Sequence, residues 1–246
     1  IGTDEESSFT GTYDGGNYVI IGLEVKGEGK NHQGLFGRTE GATISNVGLV
    51  GNKVKGENYV GGLVGRATSS TTIENSYATG SVEGSEYSIG GLVGGAQSNT
   101  KINNSYATGS VEGSGSVGGL VGEATSSTNI SKSYATGSVI GGSSVGGLVG
   151  YAHSEIIINN SYATGSVEGS GSVGGLVGGA YDGTNISKSY ATGSVIGGNS
   201  VGGLVGYSDS AKSTIENSYA TGSATGSGTN VGGLVGSAYD GIIENS

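Results

Sequence analysis

The stretch SYATGSVEGSGSVGGLVGEATSSTNISK, residues 105–132, is followed at once by SYATGSVIGGSSVGGLVGYAHSEIIINN, residues 133–160, and the two copies set a period of 28 residues. Working outward, Gly-Gly-Leu-Val-Gly begins at Gly61, Gly90, Gly118, Gly146, Gly174, Gly202 and Gly232, in steps of 28 to 30 residues. A second block, Ser-Tyr-Ala-Thr-Gly-Ser, begins at Ser76, Ser105, Ser133, Ser161, Ser189 and Ser218 and keeps the same step. An earlier, divergent copy reads Gln33-Gly34-Leu35-Phe36-Gly37, and the segment before it, Phe9-Thr10-Gly11-Thr12-Tyr13-Asp14-Gly15-Gly16, does not match the later repeats. Residues 1–30 therefore read as a divergent N-terminal cap or first coil, and residues 31–246 as tandem repeats forming one continuous solenoid. Atypical ends are expected of such an array, because an open coil presents unpaired strand edges to other chains. With no initiating methionine, and with Ile242 to Ser246 matching the start of a further repeat, the sequence reads as a segment of a longer chain.

Composition narrows the fold. Of 246 residues, 55 are glycine, and proline, cysteine, methionine and tryptophan are absent. Collagen would need glycine at every third position with abundant proline, whereas here the glycines cluster. Disorder is opposed by the 33% hydrophobic residues, which recur as Val, Ile, Leu and Ala at fixed offsets and so can line a core. Helical repeats are disfavoured because each glycine costs a helix about 1 kcal/mol relative to alanine. A propeller blade takes about 40 residues or more. The expectation is an all-β fold, a right-handed parallel β-solenoid (β-helix) with about 28 residues per coil, the hand following from the general preference of parallel crossovers. Two to four short strands fit in each coil, such as Leu63 to Ala67 and Ser76 to Val82, with turns such as Glu83-Gly84-Ser85. Coils stacked at about 4.8 Å would make a rod roughly 40 Å long.

In such a stack, equivalent residues of successive coils are neighbours, so the columns carry information. The column after the block's valine reads Glu83, Glu112, Ile140, Glu168, Ile196, Thr225, and the one before Ser-Tyr reads Asn75, Asn104, Lys132, Asn160, Lys188, Asn217. The two co-vary as a super-repeat of 56 residues, and both tolerate charge, so both should face solvent. Strand alternation then turns Ser133, Ala135, Gly137 and Val139 inward and Tyr134, Thr136, Ser138 and Ile140 outward. This makes a candidate binding face of two ladders, Tyr77, Tyr106, Tyr134, Tyr162, Tyr190 and Tyr219 beside Thr79, Thr108, Thr136, Thr164, Thr192 and Thr221. Regular rings and hydroxyls on a flat face suit an ordered ligand such as a glycan or ice. They also suit plain same-face stabilisation of the sheet, the reading the sequence favours.

Other function classes find little support. A formal charge of -10 argues against nucleic acid, whose phosphates require a basic surface. No apolar run approaches the roughly 20 residues of a membrane-spanning helix, so no membrane insertion is expected of this segment. His32 and His153 are the only histidines and lie about four coils apart, which leaves neither a metal cluster nor a triad. No catalytic residue, metal site or cofactor is expected. The Gly-Gly-x-Gly-x-Asp calcium nonapeptide is missing, and Gly118-Gly119-Leu120-Val121-Gly122 recurs too often to be a phosphate loop.

Gly-Leu-Val-Gly at this spacing, joined to Tyr-Ala-Thr-Gly-Ser, resembles the GLUG-motif repeats of bacterial surface proteins over about residues 30 to 246. The resemblance implies an extracellular or cell-surface setting, in large exported adhesins or in non-catalytic regions of secreted enzymes such as immunoglobulin-A-cleaving peptidases. The His-Glu-x-x-His zinc motif of such peptidases is absent. The expected function is a non-catalytic structural or adhesive module, a stalk or a solenoid that self-associates end to end or side by side. The alternatives are surface recognition of carbohydrate, ice or a host-surface ligand through the ladders, and a spacer beside an enzyme.

Overall fold

A computed structural model describes residues 1–3, 6–209 and 211–246, and among these there is no helix. One coil shows the plan. It runs through strands Asn129–Ser131, Tyr134–Ala135, Val139–Ile140, Ser144–Gly146 and Val149–His153. The chain then returns to Ile157–Asn159, which lies parallel to the first strand with Ile130 opposite Ile158. Every strand repeats this step, giving five parallel sheets of nine, eight, eight, seven and eight strands, called here the first to fifth sheets in chain order. The protein is thus a parallel β-solenoid of about 28 residues per coil. Residues 12–26 already belong to it, since Tyr13 pairs with Ile44, Ile20 with Leu49 and Val25 with Val54.

Five strands per coil exceed the two to four expected. The stretch Ser76 to Val82 is not one strand but two, Tyr77–Ala78 and Ser81–Gly84, with Thr79 and Gly80 turning the corner between them. The corner keeps the inside-outside alternation of the side chains, but Gly137, expected inward, is only partly buried there. Ser133, Ala135 and Val139 are buried, Tyr134 is half-buried, and Lys132, Thr136, Ser138 and Ile140 are at least partly exposed.

Glycine makes the coil narrow. A methyl group on Gly147 would lie 2.1 Å from the Gly175 carbonyl oxygen of the next coil and 2.8 Å from the Ala163 Cβ across the coil. One on Gly137, at the corner, would lie 1.9 Å from the Gly109 carbonyl oxygen. Neither glycine has a positive φ; it is the close approach of backbones that excludes a side chain. At the waist formed by Gly147 and Ala163 the interior divides into two cores. Ile130, Ala135, Leu148, Val149 and Ala152 fill the larger, while Val139 and Val145 belong to the smaller. Each fully buried Val, Leu or Ile stabilises by about 1.5–3 kcal/mol, which outweighs the roughly 0.5–1 kcal/mol that a glycine costs a strand in chain entropy.

The Asn/Lys column lies at the surface, as expected, but backbone conformation explains its composition. Asn75, Asn104, Lys132, Asn160, Lys188 and Asn217 all have φ between 48° and 50° and turn the chain from the first sheet into the second. Asparagine tolerates this left-handed region better than other residues with a Cβ. Its amides also form a ladder, with Asn104 Nδ2 donating to Asn75 Oδ1 at 2.7 Å and Asn46 Nδ2 to Asp14 Oδ1 at 2.9 Å. The latter bond, with one from the Gly16 N–H, holds the Asp14 carboxyl below the usual carboxylate range. Behind the corner the buried Ser133 Oγ accepts the Ser105 N–H at 3.2 Å and donates to the Ser131 carbonyl at 2.8 Å. Lysine at the corner is the strained choice, so Lys188→Asn is expected to raise stability by a few tenths to about 1 kcal/mol. A denaturant melt that moves the other way would show that the lysine is held by contacts outweighing its backbone.

In the neighbouring column acid alternates with aliphatic from Glu112 to Ile196. Ile140 pairs with Glu168 and Glu168 with Ile196, but Glu83 lies directly beside Glu112. On its other side Glu83 meets Lys55 at 2.6 Å, and that hydrogen bond, with the Glu83 charge, raises the lysine pKa.

Candidate functional site

In-register pairing of the second sheet puts each tyrosine directly above the last. Ring centroids from Tyr77 to Tyr219 are 4.7 to 5.1 Å apart, and adjacent planes differ by only 1° to 5°. Burial, then the neighbouring phenols, raises the pKa of Tyr106, Tyr134 and Tyr190. The threonines follow two residues later at the corner. Thr79 and Thr108 are half-buried, while Thr136, Thr164 and Thr192 are exposed and Thr221 is exposed beside them. The tyrosines thus line the second sheet and the threonines the corner between the second and third sheets.

The stack limits what the ladder can do. Each inner ring has both faces covered by its neighbours, so the ladder offers ring edges and hydroxyl groups to solvent, and π-faces only at its ends. At the lower end, the Tyr77 hydroxyl lies over Gly48, where a Cβ would sit 2.5 Å from its oxygen.

The two histidines serve separate aromatic groups. The His32 ring stacks on Tyr59 at 5.4 Å, while His153 Nδ1 hydrogen-bonds the Ser154 hydroxyl at 2.6 Å and lies beside Tyr151 and Tyr181. Among the described residues, no three His, Cys, Asp or Glu side chains converge as a metal site would require. No helix among them is long and apolar enough to cross a membrane.

A second feature lies outside the repeats' common pattern. Between the third and fourth sheets two coils carry tyrosine, at Tyr59 and Tyr87, whereas the following coils there carry Gly115-Ser116, Ser143-Ser144, Gly171-Ser172 and Asn199-Ser200. With Tyr151 and Glu123 of the fifth sheet, and with Asn58, Ser88 and Ser116, they line a groove of about 350 Å³. Each added ring rests on a glycine. A Cβ on Gly115 would lie 2.2 Å from the Tyr87 ring, and one on Gly95 would lie 2.7 Å from the Tyr59 ring. The Arg66 guanidinium sits 4.8 Å from the centre of the Tyr59 ring and donates to Gln97 Oε1. Asn58 Oδ1 accepts the Tyr87 N–H at 3.0 Å, and Ser88 Oγ donates to Glu123 Oε2 at 2.5 Å. Burial, followed by the charges of Glu123 and Asp209, raises the Tyr151 pKa. The signal available in the sequence is departure from the repeat, which a search for repetition discards.

Comparison with known proteins bears on the repeat. A family model described as the GLUG motif matches residues 56–83, 85–112, 113–140, 141–168, 169–196 and 197–225, each span one turn of the solenoid. No curated protein matches. Among solved structures, the chain is similar to a crystal structure from Bacteroides ovatus provisionally described as an immunoglobulin A1 protease. The identity is 18% and the TM-score 0.50, over 93% of this chain and 68% of the other. At that identity the likeness is one of fold.

Proposed function

Since the chain belongs to the GLUG-motif family, we propose that it is an extracellular structural module, a stiff stalk or spacer that holds a neighbouring region away from a surface and can itself adhere. The observation that carries this reading is continuity. In all five sheets each strand pairs in register with its equivalent one coil away, so the backbone hydrogen bonds run along the axis without a hinge. Stability in such an array is a sum of coil and interface terms, which allows length to vary without redesign of the core. The partners this reading names are further copies of the solenoid, end to end or side by side, and a glycan or host-surface ligand. The ladders offer a second reading, recognition of an ordered surface by exposed threonines at one coil spacing.

One experiment addresses both. Beads coated with the chain are presented to epithelial cells, mucin and matrix protein, and its oligomeric state is measured by sedimentation. Adhesion that survives bulky substitution of Thr136, Thr164 and Thr192 supports the stalk and removes the ladder reading. A strictly monomeric chain that retains no cell, mucin or matrix would remove the adhesive function and leave a passive spacer.

A further inference from the structure

We propose that the groove framed by Tyr59, Tyr87, Tyr151 and Glu123 binds a neutral sugar ring of a glycan. The site lies apart from the tyrosine ladder and does not rest on the stalk reading.

Three observations lead there. First, the groove is where the chain departs from its own repeat. Residues that recur in every coil serve the stacking common to every coil, whereas Tyr59 and Tyr87 occur in two coils only, and a glycine seats each ring. Second, the ring that offers its face is Tyr87: Tyr59 is stacked by His32 and met by Arg66, and Tyr151 packs beside His153 and Tyr181. Tyr87 is 58% exposed, a large exposure for an aromatic residue whose backbone N–H is fixed by a hydrogen bond to Asn58. An aromatic face that is held in place and left wet is suited to the apolar C–H face of a pyranose. Third, the remaining lining groups are hydroxyls, an amide and one carboxylate, the donors and acceptors that ring hydroxyls require. The volume of about 350 Å³ falls within the roughly 300–1,000 Å³ typical of small-ligand sites.

A cationic ligand is the competing occupant, because tyrosines and a carboxylate also recognise ammonium groups. Arg66 opposes it. Its guanidinium already sits over Tyr59 and supplies the positive charge that a second cation would have to approach. The Glu123 carboxylate, one oxygen of which accepts from Ser88, is then left to accept from sugar hydroxyls.

The test is saturation-transfer NMR on the whole chain with glucose, galactose, mannose, N-acetylglucosamine and N-acetylgalactosamine, and with choline and arginine as cationic probes. At least one sugar is expected to bind, with a dissociation constant on the order of 1 mM. Tyr87→Ser and Glu123→Gln should each weaken that binding by about tenfold, while Tyr18→Ser, at an exposed tyrosine outside both the groove and the ladder, leaves it unchanged. Glu123→Gln is isosteric and carries the test should Tyr87→Ser disturb the fold, which circular dichroism will show. The proposal is overturned if no sugar in the panel binds, if choline or arginine binds in place of the sugars, or if binding survives both groove variants.

Discussion

Gly147→Ala is expected to destabilise the protein by more than about 3 kcal/mol, at the upper end of what overpacking a core does, and to divide the array between two coils. The added methyl would stand 2.1 Å from the Gly175 carbonyl oxygen, an atom held by the ladder and unable to swing away as a side chain could. Ala163, 2.8 Å away on the other side, closes the route of retreat across the waist. Because the solenoid is held together by nearest-neighbour interfaces, the damage should be local. Amide exchange would accelerate at the coil boundary flanking Gly147, and denaturation would lose its single transition. Gly179 provides the control, since a methyl group added there would meet only the Tyr181 side chain, and its partners in the adjacent coils are Tyr151 and Tyr207. Gly179→Ala should therefore be close to neutral, and equal losses at the two sites would refute the steric account.

This contrast also marks how far the sequence can be read. The period follows from the hydrophobic columns, since Ile130, Leu148 and Val149 recur at a fixed step and only in-register stacking lets them share a core. The inward and outward parity of the Ser133 to Ile140 block is legible for the same reason, an inward residue at every second place. The number of corners is not. Thr79-Gly80 alternates like any strand, and nothing in its composition distinguishes a corner from an extended pair; the tight contact of Gly80 with the Asn52 carbonyl oxygen belongs to the assembled stack. The left-handed turn at Asn104 is hidden differently, because asparagine there reads as a polar surface residue and two of its equivalents are lysine. Of the candidate site, the ladder residues can be named from the repeat, but the covering of one ring face by the next is a matter of orientation. The groove leaves only the departure of Tyr59 and Tyr87 from the repeat as a signal, because its residues are drawn from different columns and from coils well apart in sequence, Tyr59 and Tyr151 among them, and meet only when successive coils are laid side by side.

Raising the pH above 10 is expected to weaken the solenoid more steeply than an ordinary β protein with as many tyrosines. Burial and neighbouring phenols raise the folded-state pKa of Tyr106, Tyr134 and Tyr190. The unfolded chain, with tyrosines near their usual value of about 10, then releases those protons first. Above that value the folded state binds more protons than the unfolded one, so stability falls as pH rises. The tyrosine contribution is therefore complete below pH about 10 and is lost as pH climbs through the raised folded values. Repulsion compounds the loss, because phenolates about 5 Å apart repel by roughly 1 kcal/mol in a water-like dielectric before salt screening. Tyr106 and Tyr134 are direct neighbours, with ring centroids 4.7 Å apart, so this repulsion acts between two of the shifted phenols and fades as salt screens it. Denaturant midpoints at about pH 8 and about pH 11, with and without roughly 1 M salt, measure it; ultraviolet absorbance of the phenolate follows ionisation directly. Joint replacement of Tyr106, Tyr134 and Tyr190 by phenylalanine keeps the stacked rings and removes the charge, and it should recover much of the lost stability. If that variant unfolds in alkali as readily as the parent chain, the ladder is not the element that titrates, and its close stacking has no part in the alkaline limit of the fold.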